Sequence, residues 1–143
     1  MNRKEFIKIC GFACIGGISL LESCAGTAYF AQTTLEANRI LIKKTEFLNT
    51  QDEKTKERKF VLIKSEKFGF PICVYKINEI EYSALLLQCT HRGCELQPQG
   101  NFLVCPCHGS EFSNKGLVQN PPAEQNLQTF KTATDDEYIY IYV

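Results

Sequence analysis

Residues 89–94 read Cys-Thr-His-Arg-Gly-Cys, and residues 105–110 read Cys-Pro-Cys-His-Gly-Ser. The chain contains only two histidines, and each motif holds one of them, His91 or His108. The same two motifs hold four of the eight cysteines. Thiolates and imidazoles are the ligands that zinc and iron–sulfur centres use in proteins. Two of each, placed on two facing loops, therefore predict a metal centre.

Three interpretations of these motifs compete. A structural zinc site would take one cysteine and one histidine from each motif and would leave two thiols idle beside the metal. Packing without any metal is disfavoured by the spacing of the histidines. In a [2Fe-2S] centre, two cysteines would bind one iron and two histidines the other. We favour the third interpretation and keep the zinc site as the alternative from another class.

The motifs resemble the two boxes of the Rieske iron–sulfur family, Cys-x-His-x-x-Cys and Cys-x-x-His with an inner cysteine. The resemblance extends over residues 36–143. It implies one [2Fe-2S] cluster, with Cys89 and Cys105 binding one iron and His91 and His108 the other. One departure is the spacer, because the thirteen residues between His91 and Cys105 are on the short side for the family.

The disulfide-containing, respiratory-type branch of that family implies roles for four further residues. Cys94 and Cys107 would form a disulfide between the two motifs, and Ser110 would donate a hydrogen bond towards a bridging sulfide. Phe112 stands where quinol-oxidising members usually carry a tyrosine that bonds a ligand sulfur. We therefore expect a reduction potential in the upper half of the family range but below its top.

Residues 1–23 predict a signal peptide. Three basic residues, Arg3, Lys4 and Lys8, precede the apolar stretch 9–21. Thirteen apolar residues are too few for a helix that spans a bilayer, but they suit a signal peptide. Residues 2–8 also resemble a twin-arginine signal with a lysine in place of one arginine, so the export route stays open.

The segment Leu21-Glu22-Ser23-Cys24 resembles the cleavage box of a bacterial lipoprotein. Cys24 would then become the lipidated first residue of the mature chain, and residues 24–35 would form a tether. The alternative is an uncleaved membrane helix. Export agrees with a persistent disulfide, which needs an oxidising compartment. We expect a protein outside the cytoplasm, anchored to the membrane on the periplasmic side or in the cell envelope.

Short β-branched and aromatic runs predict an all-β fold. The predicted strands cover residues 39–47, 60–65, 70–77, 82–88, 102–104, 127–134 and 137–143, and the charged stretch 49–59 predicts an exposed loop. The resemblance implies a Rieske-type antiparallel β-sandwich over residues 36–143 with a small cluster-binding subdomain at one end. The turn at Pro121 and Pro122 is either a cover for the cluster or an ordinary strand connection.

The function that we predict is one-electron transfer by an exported, membrane-tethered carrier or a small electron-transfer subunit with redox protein partners. The sixteen basic and sixteen acidic residues cancel, so nothing indicates a nucleic-acid partner. A Rieske oxygenase needs a second iron with two more histidines, and the chain has none left. The remaining alternative is the Rieske subunit of a quinol-oxidising cytochrome bc-type complex. Arg92 disfavours that role, because the subunits of cytochrome bc complexes usually have an apolar residue at this position, where quinol docks.

Overall fold

In a computed structural model, residues 28–50 and 54–143 are described, and they form an almost entirely β structure. The predicted signal peptide and the predicted lipidation site at Cys24 lie outside the described residues. Within the described ranges, no helix combines the length and the hydrophobicity needed to cross a bilayer. The strands are β1 (Thr33–Glu36), β2 (Arg39–Lys43), β3 (Leu48–Asn49), β4 (Lys56–Glu57), β5 (Phe60–Ile63), β6 (Ile72–Lys76), β7 (Tyr82–Leu86), β8 (Gln97–Gln99), β9 (Phe102–Val104), β10 (Glu111–Ser113), β11 (Val118–Asn120), β12 (Thr129–Thr134) and β13 (Tyr138–Tyr142).

The main sheet has seven antiparallel strands in the order β1-β2-β13-β12-β7-β6-β5, and it curls on itself at β12. The first two residues of β12, Thr129 and Phe130, pair with β7, whereas its last four pair with β13. One apolar core lies between the two halves of this sheet. It draws on both halves: Ile40, Ile42, Val61, Ile63, Ile72, Val74, Ala84, Leu86, Ile139 and Ile141. The predicted all-β sandwich is confirmed.

The strands β5, β6 and β7 are buried on both faces. Along β6, Ile72 and Val74 join the core of the main sheet, whereas Cys73 and Tyr75 join a second core on the opposite face. Burial on both sides explains why these strands are continuous apolar runs instead of alternating patterns. Cys73 is fully buried, as expected for a small hydrophobic residue.

The second core lies beneath a four-stranded antiparallel sheet with the order β11-β10-β9-β8, and this sheet carries the two cysteine–histidine motifs. Tyr75 connects the two sheets, because its hydroxyl donates to the carbonyl of Phe102 at 3.1 Å. The sequence did not predict β8, β10 or β11. Each has three residues, and Gln97-Pro98-Gln99 has no strand pattern. The charged stretch 49–59 is largely exposed where it is described, but its ends pair as β3 and β4.

The prediction of one strand over residues 39–47 is wrong in its second half. Pairing with β13 ends where Tyr138 faces Lys43, and the Lys44 amide then donates to the Glu137 carbonyl at 2.9 Å. Without a partner strand, the chain continues as a 3-10 helix over Lys44–Phe47. That turn places the Phe47 ring in the core, 5.5 Å from the ring of Tyr82.

The expected tether also ends earlier than predicted, because the chain joins the sheet before residue 36. The Ala31 amide donates to the Leu62 carbonyl, and the Leu62 amide donates to the Tyr29 carbonyl, both at 2.8 Å. This short parallel bridge lengthens the sheet beside β5, and β1 follows at Thr33. The run has no strong periodic pattern, so sequence alone did not distinguish it from a linker.

The turn between β10 and β11 rests against the main sheet at Gly116. The backbone of Gly116 has a φ of +80°, and a Cβ atom there would lie 2.9 Å from the Leu85 side chain and 3.4 Å from Leu127. Gly69 has a similar φ of +70°, but a Cβ atom there would have nothing within 4 Å. Substituting each glycine in turn therefore distinguishes the cost of backbone strain, which both positions share, from the cost of steric crowding, which arises only at Gly116.

We expect Gly116→Ala to lower the free energy of unfolding by about 2–4 kcal/mol, since left-handed strain and overpacking add. Gly69→Ala should cost only the strain, about 1–2 kcal/mol. Urea unfolding of the two variants beside the parent protein measures both values. Equal losses in the two variants would show that the contact between Gly116 and Leu85 does not constrain the fold.

Candidate metal centre

The first motif folds as a tight loop at the end of β7. The Cys89 amide donates to the Cys94 carbonyl at 2.8 Å, and the Gly93 amide donates back to the Cys89 carbonyl at 2.8 Å. Closing the loop requires a φ of +76° at Gly93, which glycine adopts without steric cost. The loop therefore turns through a few residues and returns beside its own start.

The second motif repeats this geometry between β9 and β10. The Cys105 amide donates to the Ser110 carbonyl at 2.8 Å, and the Gly109 amide donates to the Cys105 carbonyl at 2.9 Å. Gly109, like Gly93, has a left-handed backbone, with a φ of +78°. In each loop a cysteine comes first, a glycine follows four residues later, and the next residue supplies the carbonyl that closes the loop. The histidine is the third residue of the first loop and the fourth residue of the second.

The structure brings the four expected ligand residues together and arranges them by depth. Cys89 and Cys105 are each only 2% exposed and belong to the second core. His108 is exposed and His91 half-buried. The two imidazole rings meet edge to face, with their centroids 5.0 Å apart. The site therefore has a sulfur-rich inner side and an imidazole-rich outer side.

The environment of Cys105 acts on its thiol in two directions. Burial raises the pKa of this thiol, and the neighbouring Cys89 thiol, within hydrogen-bonding reach, adds to the rise. The backbone N–H groups of Cys107 and His108 oppose the rise by donating to the sulfur. Two thiols this close, with amide donors directed at one of them, suit binding to one metal as thiolates.

The imidazole of His91 contains a buried nitrogen, Nδ1, that no hydrogen-bond donor or acceptor among the described residues satisfies. A buried polar atom without a partner costs about 1–3 kcal/mol. A bound metal ion satisfies such an atom. Two clustered thiols and this nitrogen therefore fit the iron ligands of a [2Fe-2S] cluster.

The predicted disulfide between Cys94 and Cys107 is confirmed, with an S–S distance of 2.02 Å. It joins the two loops directly. The sulfur of Cys105 lies within 4.8 Å of both sulfurs of this bond. These three sulfurs do not form a metal site together, because metals bind thiolates and the sulfurs of Cys94 and Cys107 are bonded to each other.

The segment after β11 is attached to both loops. The hydroxyl oxygen of Ser110, which is fully buried, accepts the Ala123 amide at 3.0 Å. The Thr90 hydroxyl donates to the Gln125 carbonyl at 2.6 Å. The peptide bond between Pro121 and Pro122, at the start of this segment, is cis. The segment is therefore more than a strand connection, since it holds one residue from each motif.

Two further residues complete the surroundings. Phe112 is 0% exposed and packs in the second core together with Cys89 and Cys105, so its ring contributes apolar packing and no hydrogen bond. Arg92 is exposed and lies between His91 and Gly93 on the outer side of the first loop. The sequence drew attention to both positions. It gave no signal for Thr90, whose partner Gln125 is 35 residues away.

Comparison with known proteins matches residues 43–131 to the Rieske [2Fe-2S] domain. A cytochrome b6-f complex iron-sulfur subunit of Trichodesmium erythraeum is 26% identical, over 98% of this chain and 84% of the relative. Iron-sulfur subunit 2 of the Synechocystis complex is 28% identical, over 99% and 84%. The crystal structure of the plasma membrane Rieske protein PetC3 from Synechocystis aligns with a TM-score of 0.53 and 31% identity, over 59% of this chain and 87% of that one.

We expect the double change Cys94→Ser and Cys107→Ser to leave a folded domain that loses iron several times faster. The disulfide closes a loop with a sequence separation of 13, worth about 3 kcal/mol in the entropic model. Its position between the loops should matter more than that energy, because it keeps them facing each other. Absorbance decay in the presence of a chelator measures the loss, and Cys73→Ala, which removes a cysteine that belongs to neither motif, serves as the control. An unchanged half-life in the double variant would contradict this role.

Proposed function

The chain belongs to the Rieske [2Fe-2S] family, and on this basis we propose that it is an exported, membrane-tethered one-electron carrier or a small electron-transfer subunit. Membership of the family means that it binds a [2Fe-2S] cluster and transfers electrons. The observation that supports the assignment of ligands is the pair of buried thiols beneath two outward imidazoles. Cys89 and Cys105 then bind one iron, and His91 and His108 bind the other.

Two histidines in place of two thiolates decide the chemistry. A cluster held by these four residues would supply one-electron chemistry at a potential of roughly −150 to +300 mV, higher than in an all-cysteine, plant-type centre. The exposed ring of His108 makes the imidazole side the shortest route between the site and a partner's redox centre. Cys89 and Cys105, in the apolar core, keep water away from the sulfur side.

The surface around the imidazoles favours a polar and transient partner. Arg92 is exposed beside His91 and places a positive charge where an electron donor or acceptor would approach. A buried apolar dock for a quinol would have to desolvate this guanidinium, which is costly. Redox proteins with acidic contact surfaces are therefore the proposed partners.

A second candidate is the iron-sulfur subunit of a quinol-oxidising complex. The similarity to cytochrome b6-f complex iron-sulfur subunits over nearly the whole chain favours it. Arg92→Leu separates the two functions. It should leave the rate of reduction by a quinol unchanged in a carrier, but it should raise that rate if quinol oxidation is the native reaction.

We further propose that residues 1–23 are removed as a signal peptide and that Cys24 carries the lipid, which places the domain outside the cytoplasm. The disulfide between Cys94 and Cys107 supports an oxidising compartment. The PetC3 protein of Synechocystis, to which the chain is similar, is described as a plasma membrane Rieske protein.

The proposed ligands predict two irons and two acid-labile sulfides per chain in the isolated protein. His91→Ala, His108→Ala and Cys89→Ala should each abolish both, because the sequence has no third histidine and no further free thiol lies at the site among the residues that the structure describes. Cys73→Ala is the matched control: it removes a buried cysteine that belongs to neither motif and should keep the full complement. Stoichiometric zinc without sulfide would establish the structural zinc site instead.

The potential should depend on position 112. Phe112→Tyr should raise it by some tens of millivolts, since a neutral hydrogen bond of about 1 kcal/mol to a ligand sulfur corresponds to roughly 40 mV for one electron. Phe130→Tyr changes a half-buried ring that packs against Phe68 at the core of the main sheet, and it should leave the potential unchanged. Protein-film voltammetry at neutral pH measures the parent protein, for which we expect roughly +100 to +250 mV, and both variants. A potential below zero in the parent, or no upward shift in Phe112→Tyr, would contradict the hydrogen-bond argument.

A further inference from the structure

The folded domain holds its own N-terminal segment firmly from Tyr29 onwards. Besides its backbone bond to Leu62, Tyr29 donates its hydroxyl to the Glu46 carboxylate at 2.8 Å. The guanidinium of Arg58 stacks on the Tyr29 ring, 3.8 Å from its centroid. The Gln32 amide donates to the same carboxylate of Glu46 at 2.9 Å. These contacts fix the place at which the chain enters the domain.

The link from the proposed lipid to that place is short. Between Cys24 and Tyr29 there are five residue steps, and an extended chain advances about 3.3–3.6 Å per residue. The link therefore reaches at most about 18 Å. The domain is about 40 Å across at this chain length, roughly twice the link. A body that large on so short a link has little freedom to turn.

The surface around the chain entrance has the composition that a lipid headgroup region favours. We call it the N-terminal face and define it by Ala28, Arg58, Lys59, Phe60 and Pro98, which together line a shallow hollow of about 410 Å³. Phe60 and Pro98 supply apolar surface, and Lys59 is exposed. Aromatic and basic groups in combination are typical of surfaces that lie at a membrane interface.

The exposed lysines beside the N-terminal face also suit contact with an anionic membrane surface. Lys56 and Lys59 are exposed and have no acidic partner among the residues that the structure describes. The nearby carboxylate of Glu57 pairs with Lys76, whose ammonium also pairs with Glu79. Each unpaired cation near an anionic leaflet adds attraction, which salt screens.

The N-terminal face also has a fixed relation to the metal centre. A second hollow, of about 610 Å³, shares Ala28, Phe60 and Pro98 with the first and continues past Leu87 to Leu96. Leu96 donates its amide to the Leu87 carbonyl at 3.1 Å, two residues after the first ligand loop ends at Cys94. Holding the N-terminal face therefore also holds the first ligand loop.

We propose that the N-terminal face lies on the anionic headgroup surface of the membrane that holds the Cys24 lipid, so that the domain keeps one orientation instead of swinging on a tether. The inference rests on the proposed lipid attachment. It implies that partners reach the metal centre from a fixed direction and at a fixed height above the membrane.

The test uses the lipidated full chain in vesicles that contain phosphatidylglycerol, beside a variant with twelve glycine and serine residues inserted after Gly26. A membrane-impermeant amine reagent modifies exposed lysines, and mass spectrometry follows each site. We expect Lys56 and Lys59 to react at least five times more slowly in the native chain than in the spacer variant. Lys131, on β12 and outside the N-terminal face, should react equally in both. Stacked oriented membranes should also give an orientation-dependent electron paramagnetic resonance signal for the reduced native protein, which the spacer variant loses.

Equal modification of Lys56 and Lys59 in the two proteins, together with an orientation-independent resonance signal, would overturn the fixed orientation while leaving the lipid and the cluster in place. Cys24→Ser tests the lipid separately, since it should release the protein from the membrane fraction. A Cys24→Ser protein that stays in the membrane would contradict the lipid attachment and this inference with it. Iron and sulfide analysis reports the cluster independently of both.

Discussion

The subdomain depends on one constraint: two cysteine thiols must be buried side by side while two histidines from the same loops stay near solvent. Each loop meets it with the same device, an amide–carbonyl pair closed by a left-handed glycine, at Gly93 and Gly109. A side chain at either glycine would strain that turn. The disulfide and the segment around Ala123 then fix one loop against the other. Backbone geometry thus positions the residues of the metal centre.

The doubly buried layer of β5, β6 and β7 carries this arrangement. One face of this layer contributes to the core of the main sheet, and the other face contributes to the second core, which contains Cys89 and Cys105. Leu85 and Leu87 belong to the second core, and a Cβ atom at Gly116 would lie only 2.9 Å from the Leu85 side chain. The orientation of the subdomain therefore follows from packing of the central strands, and a change there would be felt at the ligand loops.

The sequence predicted the ligand chemistry of the site better than the distant contacts that hold the ligand loops in place. The motifs identify ligand types and spacing because metal binding requires particular atoms at particular separations, and long apolar runs identify β5, β6 and β7. The Thr90–Gln125 and Ser110–Ala123 contacts depend on residues 35 and 13 positions apart, and no local pattern encodes them. The same holds for Tyr29, whose strand pairing uses only backbone groups and whose partner, Leu62, is distant in the chain. The three-residue strand β9 was predicted from its apolar run, whereas β8 has no strand pattern and was not predicted, because the sheet and not propensity stabilises it.

The early attachment of the chain changes what Arg92 implies. On a long tether, a cluster domain can turn until its imidazoles enter an apolar pocket in a neighbouring membrane protein. With the proposed lipid at Cys24, only a few residues would separate the anchor from Tyr29, where the domain holds its own chain, so a partner would have to approach the imidazole side. A mobile partner in the aqueous phase meets an exposed guanidinium beside His91 and an exposed His108. Charge attraction then raises the encounter rate without requiring a large dry interface. The short link to the proposed lipid and the positive charge of Arg92 therefore favour the same kind of partner, a soluble redox protein with an acidic contact surface.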